Sequence, residues 1–138
     1  MSQSNDSSRR LSAEQVDNFQ HNGYLVVKQA VSPEAIGALR RFTDEEIARG
    51  EGTIIWHDEA KREAARLSFL SERGGAYLDL IRSDALLDPL EDLVGPDIEF
   101  CHNRHNHLLV KPPGDRGTQW HRDQRGWSRP VITVIVAL

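Results

Sequence analysis

The chain has 138 residues, with 17 Lys+Arg against 21 Asp+Glu and a formal net charge of −4. That length fits one domain, able to bury roughly two-thirds of its unfolded surface. The mild acidity argues against a nucleic-acid or anionic-membrane surface, because both need clustered positive charge.

Residues 1–10, "MSQSNDSSRR", are polar and low in complexity and are expected to form a disordered tail. They contain no apolar h-region, so they do not read as a secretory signal. The first helix begins next. Ser12 with Gln15 has the spacing of a capping box, Leu11 and Val16 that of a hydrophobic staple, and Gly23 is placed to end the helix. Tyr24–Val27 is predicted as a strand from its aromatic and β-branched residues. Ser32-Pro33 opens a second helix, with Ile36, Leu39, Thr43 and Ile47 on one side and Phe42 close by. Gly50 and Gly52 end it.

"TIIW" at 53–56 reads as a short strand, and Asp58–Arg66 is too charged to assign. The polar, glycine-flanked stretch from 51 to 75 suits a mobile lid, with Trp56 and His57 as its contact residues. "GGAYLDLIR" suggests a short helix after a glycine break. In "DPLEDLVGP", Asp88 is expected to cap a helix, Pro89 to be its first residue, and Gly95-Pro96 to stop it. Beyond Gly95 the chain turns extended, through "DIEFCHNRHNHLLVK" to a loop, "PPGDRG", and a buried strand, "VITVIVAL". That last apolar run is far too short to span a bilayer. Helices first and strands later predict an α+β fold, helices packed on a mostly antiparallel sheet or barrel. The chain halts inside its final hydrophobic strand, so a fragment of a longer β-rich domain is expected.

Cys101 is the only cysteine. No internal disulfide is possible, an oxidising compartment is not implied, and a cytoplasmic protein is expected. The motif with chemistry in it is "QWHRDQ". On an extended segment, residues i and i+2 point the same way. His121 and Asp123 can therefore offer an imidazole nitrogen and a carboxylate oxygen to one point. That is two-thirds of a two-histidine, one-carboxylate triad, which leaves metal positions open and suits non-haem Fe(II). His102, His105, His107 and His121 cluster within 102–121, and outside it stand only His21 and His57. His105 and His107 share one strand parity, and His102 takes the other. A zinc site from Cys101, His102, His105 and His107 is disfavoured because alternation sends neighbours to opposite faces. A cupin H-x-H pattern lacks its following glutamate.

Taken together, "LSAEQVDNFQHNGYLVV", "LLDPLEDLVGPDIEF", "HLLVKPPG", "QWHRDQ" and "VITVIVAL" resemble the phytanoyl-CoA dioxygenase family in order and approximate spacing. The likeness runs over nearly the whole chain after residue 10 and corresponds to the first half of a member. It implies a double-stranded β-helix (a cupin-like jelly roll) with N-terminal helices, of which residues 11–138 are the N-terminal part, truncated before the barrel is complete. It implies an Fe(II)- and 2-oxoglutarate-dependent dioxygenase that uses O2 to hydroxylate an unactivated C–H of a small molecule. His121 and Asp123 are then the first two iron ligands. His107, and with it Lys111, lies on the parity that faces 2-oxoglutarate. The family's distal histidine and the arginine that grips 2-oxoglutarate have no counterpart here, so this chain alone is expected to be inactive. Trp127 resembles the ectoine hydroxylase branch by its offset, but the rest of that branch's signature is absent and its substrate is not carried over. The alternative is a non-catalytic truncated jelly roll acting as a binding or scaffold module.

Overall fold

The computed structural model describes residues 10–61, 63–103, 105–111, 114 and 131–138. Of the expected tail, residues 1–10, all but Arg10 lie outside it. Among the described residues, five helices and three strands follow in the order α1 (Ala13–Asn22), α2 (Pro33–Arg49), β1 (Ile54–Asp58), β2 (Glu63–Ser68), α3 (Leu70–Arg73), α4 (Gly75–Ile81), α5 (Asp84–Val94) and β3 (His107–Leu109). The mixture is helical with a small antiparallel sheet, ordered β1-β2-β3. It is compatible with a cupin-like fold.

The two helices with explicit caps form where the residues dictate. Ser12 Oγ accepts from the Gln15 amide at 3.2 Å, and Gln15 Oε1 accepts from the Ser12 amide at 2.9 Å, a complete capping box. Gly23 closes α1 at φ 74°, its amide donating to the Phe19 carbonyl. Ser32 Oγ accepts from the Ala35 amide at 3.2 Å, with Pro33 beginning α2, and Gly50 ends it at φ 70°. Leu39 and Thr43 are buried on the expected side of α2, and Glu46 joins them.

Three expectations need correction. Tyr24–Val27 forms no strand. Its alternation survives only as burial, Leu25 and Val27 half-buried and Tyr24 and Val26 exposed, because no partner strand lies alongside. Helix α5 starts before the expected proline, with Ser83 as its N-cap residue and Pro89 inside. Ser83 Oγ donates to the Leu80 carbonyl at 2.7 Å instead of capping. Asp88 instead faces Arg10, 3.6 Å away. Pro89 has no amide to return to Ala85, and both residues are buried, so packing offsets the lost bond. Finally, residues 131–138 are not part of the sheet, and Ile135 is 89% exposed. Strand propensity is realised only against a neighbouring strand.

The core sits where α2 meets α4 and β2. Leu39 and Leu67 are fully buried, joined by Ala64, Tyr77 and Ala85. The Phe42 and Tyr77 rings meet edge-on at 5.2 Å. Beside them Arg73 gathers the connections: Nη1 lies 2.8 Å from Glu46 Oε2, Nε donates to the Ser68 carbonyl, and Nη1 and Nη2 also reach the carbonyls of Glu51 and Thr53. One guanidinium thus ties α2, the α2–β1 turn and the end of β2 to α3. On the far side Arg10 reaches Glu91 at 2.7 Å and Asp92 at 3.2 Å, strapping the start of the described chain to α5. These carboxylates raise the Arg10 pKa further, Glu91 contributing most. Among the described residues no helix is long and apolar enough to cross a membrane.

Candidate functional site

The charged segment that resisted assignment is the central strand. β1 and β2 form a hairpin with Ile54 opposite Leu67 and Ile55 opposite Arg66; β2 then pairs with β3, Arg66 opposite Leu109 and Ser68 opposite His107. The 51–75 stretch is therefore not a lid: Trp56 and His57 belong to a paired strand. The lysine, arginine and glutamates of this stretch hid a strand whose inward residues, Ala64 and Leu67, are small or apolar. His57 falls at an irregularity between Trp56 and Asp58, with no β2 residue opposite it. Its Nε2 meets the Val110 carbonyl at 3.3 Å.

Alternation gives the sheet two unlike faces. One carries Leu67, at 0% exposure, flanked by Ile54 and Leu108. The other carries Ile55, Arg66 and Leu109 in one cross-strand row and Ser68 with His107 in the next. Ile55 and Leu109 are 51% and 50% exposed, so the edges of this second face are open, while Ser68 is buried and Arg66 Nε and His107 Nδ1 are out of reach of solvent. Lys111 follows β3 on the surface.

Asn106 holds β3 in place. It is buried. Its Oδ1 accepts from the Ser71 amide at 3.1 Å, its Nδ2 donates to Ser71 Oγ at 2.7 Å and to the His102 carbonyl at 3.0 Å, and its carbonyl accepts from the Leu70 amide. Phe69, at the N-cap position of α3, provides no side-chain cap. Asn106 supplies it from a distant part of the chain, satisfying an amide that α3 leaves unpaired. The preceding His105 takes φ 52°, and its ring centroid lies 6.0 Å from that of His107. His102 contributes its carbonyl to this turn while its side chain is exposed. Sequence reasoning missed Asn106 and Arg66. The signal for the first was a polar residue between two histidines that share the opposite parity to it; for the second, a lone arginine inside "AARLS".

His121, Asp123 and Trp127 lie outside the described residues. Among the described residues, no three His, Cys, Asp or Glu side chains come together as a metal site. Cys101 Sγ donates instead to Asn103 Oδ1 at 3.2 Å. A cleft of about 420 Å³ does open elsewhere, lined by Arg10, Gln15, Lys28, Gln29, Ala85 and Pro89, and it includes none of the candidate site residues read from the sequence.

Among the described residues, capped helices with a small antiparallel sheet are compatible with a cupin-like fold. The family model described as Phytanoyl-CoA dioxygenase (PhyH) matches residues 19–138, and the chain belongs to that family. It is similar to three curated proteins named ectoine dioxygenase. That of Streptomyces coelicolor is 25% identical over 142 aligned positions, covering 93% of this chain and 46% of the relative. That of Bordetella parapertussis is 28% identical over 125 positions, covering 85% and 38%. That of Nocardia farcinica is 23% identical over 121 positions, covering 83% and 39%. The chain thus spans less than half the length of these relatives. No solved structure matches.

Proposed function

We propose that this chain is the N-terminal part, from residue 11 onward, of an oxygenase domain that hydroxylates an unactivated C–H of a small molecule with Fe(II), 2-oxoglutarate and O2. The observation that carries the proposal is the doublet of His121 and Asp123 inside the span matched by the family model. Members of this family generally depend on Fe(II) and 2-oxoglutarate. The donor set fits: one neutral imidazole and one carboxylate, with no thiolate, suits a ferrous ion that must keep positions open. His121 and Asp123 would hold the metal, which when bound supplies the redox chemistry of O2 activation with 2-oxoglutarate as co-substrate.

The rest falls to the chain's own side chains. His107 presents its imidazole on the second sheet face and, with Lys111 just beyond the strand, is proposed to orient 2-oxoglutarate. The sheet forms one wall of a double-stranded β-helix in this reading.

The test has two parts. Fe(II) or Co(II) titration of the 138-residue chain should show binding that weakens in both His121→Ala and Asp123→Ala. Protein made from the whole gene should form succinate from 2-oxoglutarate in an Fe(II)-dependent manner. Retention of that activity in His121→Ala would put the metal elsewhere and end this reading.

A further inference from the structure

Helix α1 buries none of its ten residues, whereas α2 and α5 both carry buried side chains. Val16 and Phe19, on its apolar side, are only half-buried. A helix this short is marginal in water by itself, even when both ends are capped. Its attachment to the rest of the molecule therefore decides whether it persists.

That attachment is concentrated at one end. Arg10 Nη2 lies 2.7 Å from Glu91 Oε2, and Nη1 donates to Asp92 Oδ1 at 3.2 Å and to the Asp88 carbonyl at 3.3 Å. The Leu11 amide donates to Asp92 Oδ2 at 2.6 Å. Among the described residues, the hydrogen bonds that tie the 10–23 stretch to the rest of the chain all run through Arg10 and Leu11. The other end is free to turn. Gly23 takes φ 74°, a Cβ there would meet nothing within 4 Å, and residues 24–27 beyond it are extended with no strand alongside. Between the two ends opens the cleft of about 420 Å³. Leu11 and Gln15 line it from the α1 side, residues 27–30 from the connecting segment, and the buried Ala85 and Pro89 from α5.

We propose that α1 is a lid over this cleft, latched to α5 by Arg10 and hinged at Gly23 and the extended stretch behind it. A latch of this kind opens without disturbing the core. The Arg10, Glu91 and Asp92 side chains are 46%, 33% and 22% exposed, so water solvates them once they part, and exposed pairs are individually weak and screened by salt. The Arg73–Glu46 pair, by contrast, is nearly inaccessible and keeps α2 and α3 together. Lifting α1 uncovers Ala85 and Pro89 and the side of the helix that carries Val16 and Phe19. The cleft holds none of the residues assigned to the oxygenase site, so the lid stands or falls independently of that reading.

Amide exchange in the 138-residue chain reads the latch. The Val16 and Gly23 amides, bonded to the Ser12 and Phe19 carbonyls, report on α1, and the α2 amides serve as the internal reference. Raising NaCl from about 20 mM to about 500 mM shortens the screening length from roughly 20 Å to roughly 4 Å. Exchange in α1 should then accelerate about threefold or more, while α2 stays as it was. Arg10→Gln should accelerate α1 by about three- to tenfold at low salt and lose most of the salt response. A second measurement reads the cleft itself. In a Cys101→Ser background, the thiol introduced by Ala85→Cys should react with iodoacetamide faster when Arg10→Gln is added.

Three results each overturn the lid. One is α1 and α2 responding alike to salt, which would mean that the chain opens as a whole. The second is α1 exchange that ignores salt in the wild type, a result that needs no substitution to obtain. The third is modification of Ala85→Cys at the same rate with and without Arg10→Gln, which would leave the cleft equally accessible whether or not the latch is made.

Discussion

Arg73 Nη1 lies 2.8 Å from Glu46 Oε2 with both side chains nearly inaccessible, at 8% and 3% exposure. A buried ion pair of this kind specifies geometry more than it stabilises, but breaking it from one side leaves a charge stranded. Glu46 also pairs with Arg49, which is largely exposed and keeps part of the compensation. Arg73→Met should therefore cost about 3 kcal/mol, the lower end of what losing one partner of a buried pair costs. The double variant Glu46→Met/Arg73→Met should recover most of that. Urea midpoints of the two variants decide the matter: equal destabilisation by single and double changes would mean that Arg73 acts through its carbonyl contacts alone.

Gly75 opens α4 at φ 50°, and a Cβ built there would come within 2.5 Å of the Phe42 ring. The helix begins where it does because glycine lets the backbone turn in the left-handed region directly over that ring. Gly75→Ala faces both a strained φ and an overlap with a ring that is itself packed edge-on against Tyr77. Overpacking of this size costs about 1–3 kcal/mol. Phe42→Leu in the same chain relieves the overlap and not the backbone strain. Thermal unfolding should then show Gly75→Ala to be less harmful when combined with Phe42→Leu than when made alone in the wild type.

How far the sequence reveals this molecule depends on where local chemistry and tertiary pairing agree. Helices α1 and α2 announce themselves because a cap hydroxyl, a periodic face and a terminal glycine lie within one short segment, and nothing distant is needed to form them. β2 does not, since its charged residues carry no local signal and its strand character comes from pairing on both sides. Pro89 misleads for the opposite reason: Asp-Pro is a strong local start signal, overridden by Ser83-Asp84 and by the burial of Ala85 and Pro89 on one helical face. Residues 131–138 have every local mark of a strand and lie outside the sheet. His121 and Asp123 lie outside the described residues, and their expected role rests on their spacing together with the family resemblance. The second sheet face is not legible in this way, because the register that brings Ile55, Arg66 and Leu109 together joins three separate stretches of chain.

Asn106 offers a direct test of that long-range assembly. Asn106→Ala removes the acceptor of the Ser71 amide and the bridge to His102, leaving a buried donor without a partner. That costs about 1–3 kcal/mol. The effect should be local as well as global. Amide exchange of Val110, whose N–H donates to the Ala65 carbonyl at 2.9 Å, should accelerate more than exchange within α2. Asn106→Asp keeps the acceptor and loses the donor to His102, so it should fall between the two. Uniform acceleration across the chain would show Asn106 contributing to overall stability without positioning β3.

Tyr77 carries the last prediction, and its sign follows from one hydrogen. Thr43 Oγ1 donates its only proton to the Leu39 carbonyl at 2.7 Å, so in the 2.7 Å contact between Thr43 Oγ1 and the Tyr77 hydroxyl the tyrosine must be the donor. Ionising Tyr77 would bury a charge, a cost that the Thr43 hydroxyl offsets only in part. Burial, foremost, pushes the Tyr77 pKa above the ordinary tyrosine value. A group whose pKa is raised in the folded state gives its full stabilisation below the unfolded pKa and loses it as pH climbs through the folded one. Here the unfolded chain begins to release the proton near pH 10 while the native state still holds it, so stability declines from there upward. Tyr77→Phe should be less stable than the wild type at pH 8 by about 0.5–1.5 kcal/mol, the net value of one neutral hydrogen bond. Above about pH 10 the gap should shrink, because only the wild type has that proton to lose. Urea midpoints for both proteins from about pH 8 to 11 measure it, and a gap that stays constant would mean that Tyr77 ionises alike in the folded and unfolded states.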